Sequence, residues 1–208
     1  MAYDLEEQEQ IDAFKAWWRA NGNKVLVVVG VAVACFIGVQ AWKSQQANQA
    51  VEASARYQEL TQTDPADTKT IQGISSELME KYSATPYAGR AALMAAKANY
   101  RAKDIQSAKA QLDWAIKNAK ETQVQAIAKL QLATLQYEEK NYDAALETLS
   151  GNIDEGFTGL YSDLKGDVLA AQGKTEDAKA AYKEALSKLD GQGKYRTYTQ
   201  HKLEALGG

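Results

Sequence analysis

The chain has 208 residues, with 24 Lys and Arg against 27 Asp and Glu, for a net charge of −3. That balance leaves no positive field to hold nucleic acid, which requires clustered basic residues. A single cysteine (Cys35) and a single histidine (His201) exclude an intramolecular disulfide, a Cys/His zinc cluster and a two-histidine metal helix. A Ser-His-Asp arrangement would have to recruit His201 from the last ten residues, with no nucleophile turn to serve it. Glycine-rich phosphate loops are absent, and the adjacent carboxylates Glu138-Glu139 and Asp154-Glu155 read as solvated helix ends. No catalytic, cofactor or metal site is expected, and the chain does not read as an enzyme.

Residues 1–24 form a tail with five acidic residues (Asp4, Glu6, Glu7, Glu9, Asp12). Ile11, Phe14 and Trp18 recur at i, i+3 and i+7, predicting a short amphipathic segment lying on the membrane face. Residues 25–42 (VLVVVGVAVACFIGVQAW) carry no charge. As a helix this run reaches roughly 27 Å, close to the ~30 Å hydrocarbon thickness of a bilayer. Trp17, Trp18 and Trp42 flank it where indole rings favour the membrane–water boundary, so lipid is an expected partner. Cys35, inside the run, reads as a small apolar residue. Lys15, Arg19 and Lys24 precede the run, whereas only Lys43 follows it closely, which predicts a cytoplasmic amino terminus and an exported carboxyl domain. A cleaved signal peptide is the alternative, with Val39-Gln40-Ala41 as its cleavage site. The long acidic tail and the continuation of the apolar run to Trp42 favour an uncleaved anchor.

Residues 43–208 are rich in Ala, Leu, Lys, Glu and Gln and lack β-branched runs, which predicts helices throughout. Ser44–Thr63 reads as a helix ended by Asp64-Pro65, and Asp67–Tyr82, with Ile71, Ile74 and Leu78 at helical spacing, pairs with it as a connecting hairpin over 44–83. Thr85-Pro86 opens the next helix, and glycines 151, 156, 159, 173, 191 and 193 mark later turns. Self-comparison over about 87–190 then aligns residues 102–116, 139–153 and 172–186 on Ala108, Ala145 and Ala178, at spacings of 37 and 33. These lie close to the 34-residue tetratricopeptide period. Small residues Ala96, Ala133 and Gly166 stand twelve before the anchors, and Leu112, Leu149 and Tyr182 four after. Repeats one and two are degenerate, Asn152 replacing a small residue. The helix over 195–206 would cap the stack. The expected fold is all-α, a single amino-terminal transmembrane helix followed by a tetratricopeptide-like helical-hairpin solenoid.

Such a solenoid presents a concave face from the first helix of each pair. The register places Arg90, Leu93, Lys97 and Arg101 there in repeat one, and Ile127, Leu130, Thr134 and Glu138 in repeat two. Repeat three contributes Leu160, Asp163, Asp167 and Ala171. The stripe grades from basic through apolar to acidic and would suit an extended or helical partner segment, although Leu93 and Leu130 also suit a core.

The segment FKAWWRANGNKVLVVVGVAVACFIGVQAW, after an acidic tail, resembles the amino terminus of YfgM-like proteins. The stretch EGFTGLYSDLKGDVLAAQGKTEDAKAAYKEAL resembles their most recognisable repeat, with Glu155-Gly156 followed by Asp163-Leu164-Lys165-Gly166. The similarity extends over essentially the whole chain. It implies an ancillary subunit of the SecYEG translocon in the bacterial inner membrane, with a periplasmic tetratricopeptide-like domain and a PpiD-like membrane-anchored periplasmic chaperone as partner. It further implies help for secretory or outer-membrane proteins emerging into the periplasm, and it carries over no catalytic residue. An envelope-assembly adaptor, or a stress-response regulator acting through the tail, would use the same anchored repeats. Composition and periodicity alone reach an anchored helical-repeat scaffold.

Overall fold

The computed structural model describes residues 2–151, 154–189 and 193–208, with side chains from Glu7 onward. Among the described residues the chain is all-α. The helices are α1 (Ala2–Gln62), α2 (Thr68–Lys81), α3 (Pro86–Arg101), α4 (Ile105–Asn118), α5 (Thr122–Glu138), α6 (Tyr142–Thr148), α7 (Thr158–Ala171), α8 (Thr175–Lys188) and α9 (Lys194–Ala205). They form two units, Met1–Gln49 and Ala50–Gly208.

The first unit is helix. Its apolar stretch is long enough to cross a bilayer, and none of it is buried within the protein. Val27, Val28, Phe36, Ile37 and Trp42 are all well exposed, a surface that lipid covers favourably and water does not. The segment bearing Ile11, Phe14 and Trp18 is helical and continuous with the apolar run in α1. Asn21-Gly22-Asn23 does not break the helix: the Asn21 side-chain amide donates to the Trp17 carbonyl at 3.2 Å. The Trp18 indole lies over Gly22, where a Cβ would stand 3.2 Å from the ring.

The second unit is a stack of helical hairpins. Asp64-Pro65 ends α1 as expected, and the Asp67 carboxylate caps α2 by accepting the Thr70 N–H at 3.1 Å. The end of α1 pairs with α2: Arg56 bonds Glu77 at 2.6 Å, Tyr82 donates to Glu52 at 3.1 Å, and Ala53 and Leu60 pack with Ile71, Ile74 and Leu78. Helix α3 buries almost nothing but alanine (Ala88, Ala91, Ala92, Ala95, Ala96, Ala98), so its neighbours approach closely. At Gly89 a Cβ would come within 2.6 Å of the Ala119 Cβ.

The three hairpins α3–α4, α5–α6 and α7–α8 share one turn. Lys103 (φ 65°), Lys140 (φ 62°) and Gly173 (φ 77°) occupy the left-handed region, each five residues before its anchor alanine. In each case the next N–H returns to the last turn of the first helix: Asp104 to Asn99 (2.9 Å), Asn141 to Gln136 (2.8 Å) and Lys174 to Leu169 (2.9 Å). Gly207 (φ 76°) and the Gly208-to-Leu203 bond (3.1 Å) end α9 in the same way, so α9 stands as a further first helix. Ala108, Ala145 and Ala178 are fully buried. Opposite Ala178, a Cβ at Gly166 would stand 2.4 Å from the Tyr182 ring. Helix α6 has 7 residues where α4 and α8 have 14. Asn152, the degenerate position of repeat two, and Gly191 lie outside the described residues.

Two stability measurements check this register. Glycine relieves the left-handed strain of about 1–2 kcal/mol at Lys140 but adds backbone entropy to the unfolded chain. Lys140→Gly should therefore stabilise by about 0.5–1 kcal/mol in urea unfolding. Ala178→Trp should cost more than about 3 kcal/mol, because overpacking at a fully buried helix contact has no room to relax. An unchanged melting temperature for Ala178→Trp would contradict the register.

Candidate partner-binding face

The stripe residues divide by what holds them. Arg90 makes a two-pronged bond to Glu121, at the start of α5, through Nε (2.8 Å) and Nη2 (2.6 Å). This hydrogen bonding holds the Glu121 carboxyl below the usual carboxylate range. Leu93 packs on the Ala92–Ala96–Leu112 cluster, and Leu130 on the cluster of Ala126, Ala133, Leu149, Tyr161 and Leu164. Ile127 is half-buried. Lys97 and Arg101 are exposed, but Arg101 lines a separate recess with Asp64, Pro65, Ala66, Thr68 and Ala102.

Three stripe residues converge on one cleft. Between α3 and α5, an open cleft of about 320 Å³ has Ala96, Leu112 and Leu135 as its floor. Lys97 and Tyr100 of α3 form one wall, and Gln131, Thr134 and Glu138 of α5 the other. The Tyr100 hydroxyl donates to the Glu138 carboxylate at 3.1 Å and closes one end. That bond raises the Tyr100 pKa. Thr134 donates to the Leu130 carbonyl at 2.8 Å, turning its methyl-bearing side chain to a fixed rotamer.

The acidic end of the stripe is engaged by α9. Asp163 accepts from Thr199 Oγ1 (2.7 Å) and Lys202 Nζ (2.8 Å). Asp167 accepts from Lys202 (2.7 Å) and the Tyr182 hydroxyl (2.8 Å). Lys202 Nζ also lies 5.8 Å from the centre of the Tyr182 ring. Burial raises the Asp167 carboxyl, outweighing the lowering by Lys202 and Tyr182. Burial alone would lower Lys202, but the two carboxylates together raise it. Burial accounts for the first direction, and one cation shared by two anions for the second. Leu160 is half-buried and Ala171 exposed at this end. Next to it, the Tyr161 hydroxyl donates to the Ala126 carbonyl at 2.8 Å, and burial pushes its pKa up to about 12.

The register put Lys97, Thr134 and Glu138 on one face, the structure brings them to one cleft, and the residues beside them were missed. Tyr100, Gln131 and Leu135 share the same helices and are recoverable from that register. Glu121, Thr199 and Lys202 carry no periodic signal: a loop glutamate and two residues of a polar helix reveal nothing until the helices are packed. His201 is exposed, and among the described residues no group of three or more His, Cys, Asp or Glu could hold a metal.

An apolar helix of membrane-spanning length followed by a hairpin stack with an open cleft defines a helical-repeat protein of the tetratricopeptide type. The tetratricopeptide repeat-like domain family matches residues 15–208. A Neisseria gonorrhoeae protein named ancillary SecYEG translocon subunit is 32% identical over 99% of this chain and 100% of its own length. Proteins of the same name from Haemophilus influenzae (30% identical; 89% of this chain, 91% of the relative) and Escherichia coli (29%; 85% of each) are also similar. The chain therefore belongs to this family of tetratricopeptide-like proteins, the one its amino-terminal span and third repeat resemble. No solved structure matches.

Lys202→Met would leave two half-buried carboxylates facing each other, and losing hydrogen bonds to charged groups costs about 1–3 kcal/mol. Melting temperature should fall, and adding Asp163→Asn and Asp167→Asn should recover most of the loss. The pH dependence has a definite sign. Both Asp167 and Lys202 have raised folded-state pKa values. The Asp167 contribution is therefore present in acid and lost as pH rises through the carboxylate range. The Lys202 contribution persists up to its ordinary value of 10.5 and is lost above it. Amide exchange should thus show α9 loosening in alkali and not in mild acid.

Proposed function

We propose that the protein is a non-enzymatic scaffold of the bacterial inner membrane, associated with the SecYEG translocon and with a PpiD-like periplasmic chaperone. In this reading α1 crosses the bilayer with residues 1–24 in the cytoplasm, 25–42 in lipid and 43–208 in the periplasm. There the domain assists secretory and outer-membrane proteins as they emerge. The observation that carries the reading is the joining, in one chain, of an exposed apolar helix to a repeat stack with an open cleft. The names of relatives matching along nearly the whole chain supply the translocon. Two modest contacts held in one membrane plane, one through the span and one through the domain, reinforce each other by effective concentration.

Replacing Val25–Trp42 with an unrelated span should weaken co-purification with SecYEG while leaving the domain folded. Lys97→Glu with Arg101→Glu should weaken whichever contact the exposed cations make, and the loss should shrink at high salt. Arg90 is left intact because its pairing with Glu121 is internal to the stack. Protease added to spheroplasts should degrade the domain and spare cytoplasmic markers. Co-purification unaffected by either change would remove both contact regions. Capture of envelope-assembly factors or a cytoplasmic regulator in place of the translocon would favour the adaptor or stress-response reading.

A further inference from the structure

We propose that α1 holds one phospholipid with an anionic headgroup at the amino-terminal end of its span, the phosphate on Trp17, Asn21 and Lys24 and the chain along Val25, Val28 and Val29. The proposal rests on the reading of α1 as a membrane-crossing helix, and adds to it a position on the helix and a headgroup chemistry.

Those six residues line a shallow recess of about 340 Å³ on α1. At about 100° per residue, positions 17, 21, 24, 25 and 28 fall on one side of the helix. The lane they form is polar over its first two turns and apolar over the next, the order of a phospholipid read from headgroup to chain. Trp18 takes no part, because its indole lies over Gly22. The Asn21 side-chain amide is anchored by donating to the Trp17 carbonyl at 3.2 Å, and keeps a second hydrogen to give.

The charge of Lys24 selects the occupant. No Asp or Glu stands between Asp12 and Glu52, and Asp12 is paired with Lys15 at 3.3 Å. Lys24 therefore has no carboxylate within reach along its own helix, and its counter-charge has to come from outside the protein. Side chains on a helix lean towards its amino terminus, so the Lys24 ammonium rises from the edge of the apolar run towards Asn21 and Trp17. That is the headgroup layer, about 5–7 Å thick on each side of the hydrocarbon core. There the ammonium meets a phosphate, with the indole N–H of Trp17 and the free Asn21 hydrogen as further donors. A zwitterionic headgroup brings its own cation, and the recess has no carboxylate to receive it. An anionic headgroup brings none. One lysine at an anionic surface corresponds to a roughly fivefold preference.

The test uses the full-length protein carrying Trp18→Phe, Trp42→Phe and Trp114→Phe, which leaves Trp17 as its one tryptophan. It is reconstituted in vesicles of phosphatidylglycerol and phosphatidylcholine, with bromine on the chains of one lipid or the other at matched mole fraction. Quenching of Trp17 should show phosphatidylglycerol enriched roughly fivefold beside it. Lys24→Gln should bring the two lipids to parity, and Lys24→Arg should keep the preference. Arg19→Gln, about 140° round the helix, should leave most of it. Equal quenching by the two lipids, or a preference that survives Lys24→Gln, would overturn the proposal. So would an equal loss from Arg19→Gln, which would assign the effect to diffuse surface charge. Loss of the preference in millimolar glycerol phosphate would assign the recess to a soluble phosphate and equally overturn it. The underlying reading is scored separately: quenching by both lipids without preference leaves α1 in the membrane, whereas quenching by neither removes that reading together with this one.

Discussion

The second unit depends on how closely its helices approach. Where a hairpin closes, the backbone leaves room for a hydrogen or a methyl group and nothing larger. Gly166 faces the Tyr182 ring, Gly89 faces Ala119, and Ala108, Ala145 and Ala178 are sealed inside. A core built on alanine buries little area per residue, so its stability comes from contact over the length of each helix rather than from a few large side chains. Among the larger buried side chains, Leu78, Leu112 and Tyr161 pack one hairpin on the next, while Tyr182 packs inside its own hairpin over Gly166. The turns follow from the same constraint. Only three residues separate a first helix from its partner, and the left-handed residue at 103, 140 and 173 makes the turn, even where that residue is lysine.

Polar groups then link each hairpin to the next. Arg90–Glu121, Tyr100–Glu138, Lys109–Glu139, Tyr161 to the Ala126 carbonyl, and Lys202 with Asp163 and Asp167 each cross from one hairpin to its neighbour. Most are exposed or half-exposed, where one ion pair contributes only about 0–1 kcal/mol. Their effect is geometric: they fix how successive hairpins are set, and they neutralise the ends of the concave stripe. The cleft by Lys97 is the part they leave open.

The features legible in the sequence are those set by sterics and periodicity. An uncharged run of 18 residues has one economical fate, and buried small residues at tetratricopeptide spacing have one packing. Pro65 and Pro86 announce helix boundaries because proline cannot continue a helix as donor. Less legible were features decided by tertiary pairing. The Asn-Gly-Asn sequence at 21–23 is carried through as helix by the neighbouring turns, as one glycine costs only about 1 kcal/mol. The acidic pair Asp163 and Asp167 looked like a ligand surface because Lys202, 35 to 39 residues away, gave no sign that it would reach them. Assigning a side chain to a concave face is a matter of period; knowing whether it is free requires its neighbours.

The function proposed for the domain makes the open cleft between α3 and α5, rather than the second helices α4 and α8, the face that meets a partner. In-cell photocross-linking tests it most directly, with a photo-reactive residue at Lys97 or Gln131 in the cleft and, as controls, at the exposed Asp113 of α4 or Lys183 of α8. A secretory protein is stalled midway through the translocon. The account predicts cross-links to the stalled chain from positions 97 and 131, rising when stalling is induced, with none from 113 and 183. Cross-links to the chain from 113 and 183 alone, with 97 and 131 silent, would contradict it.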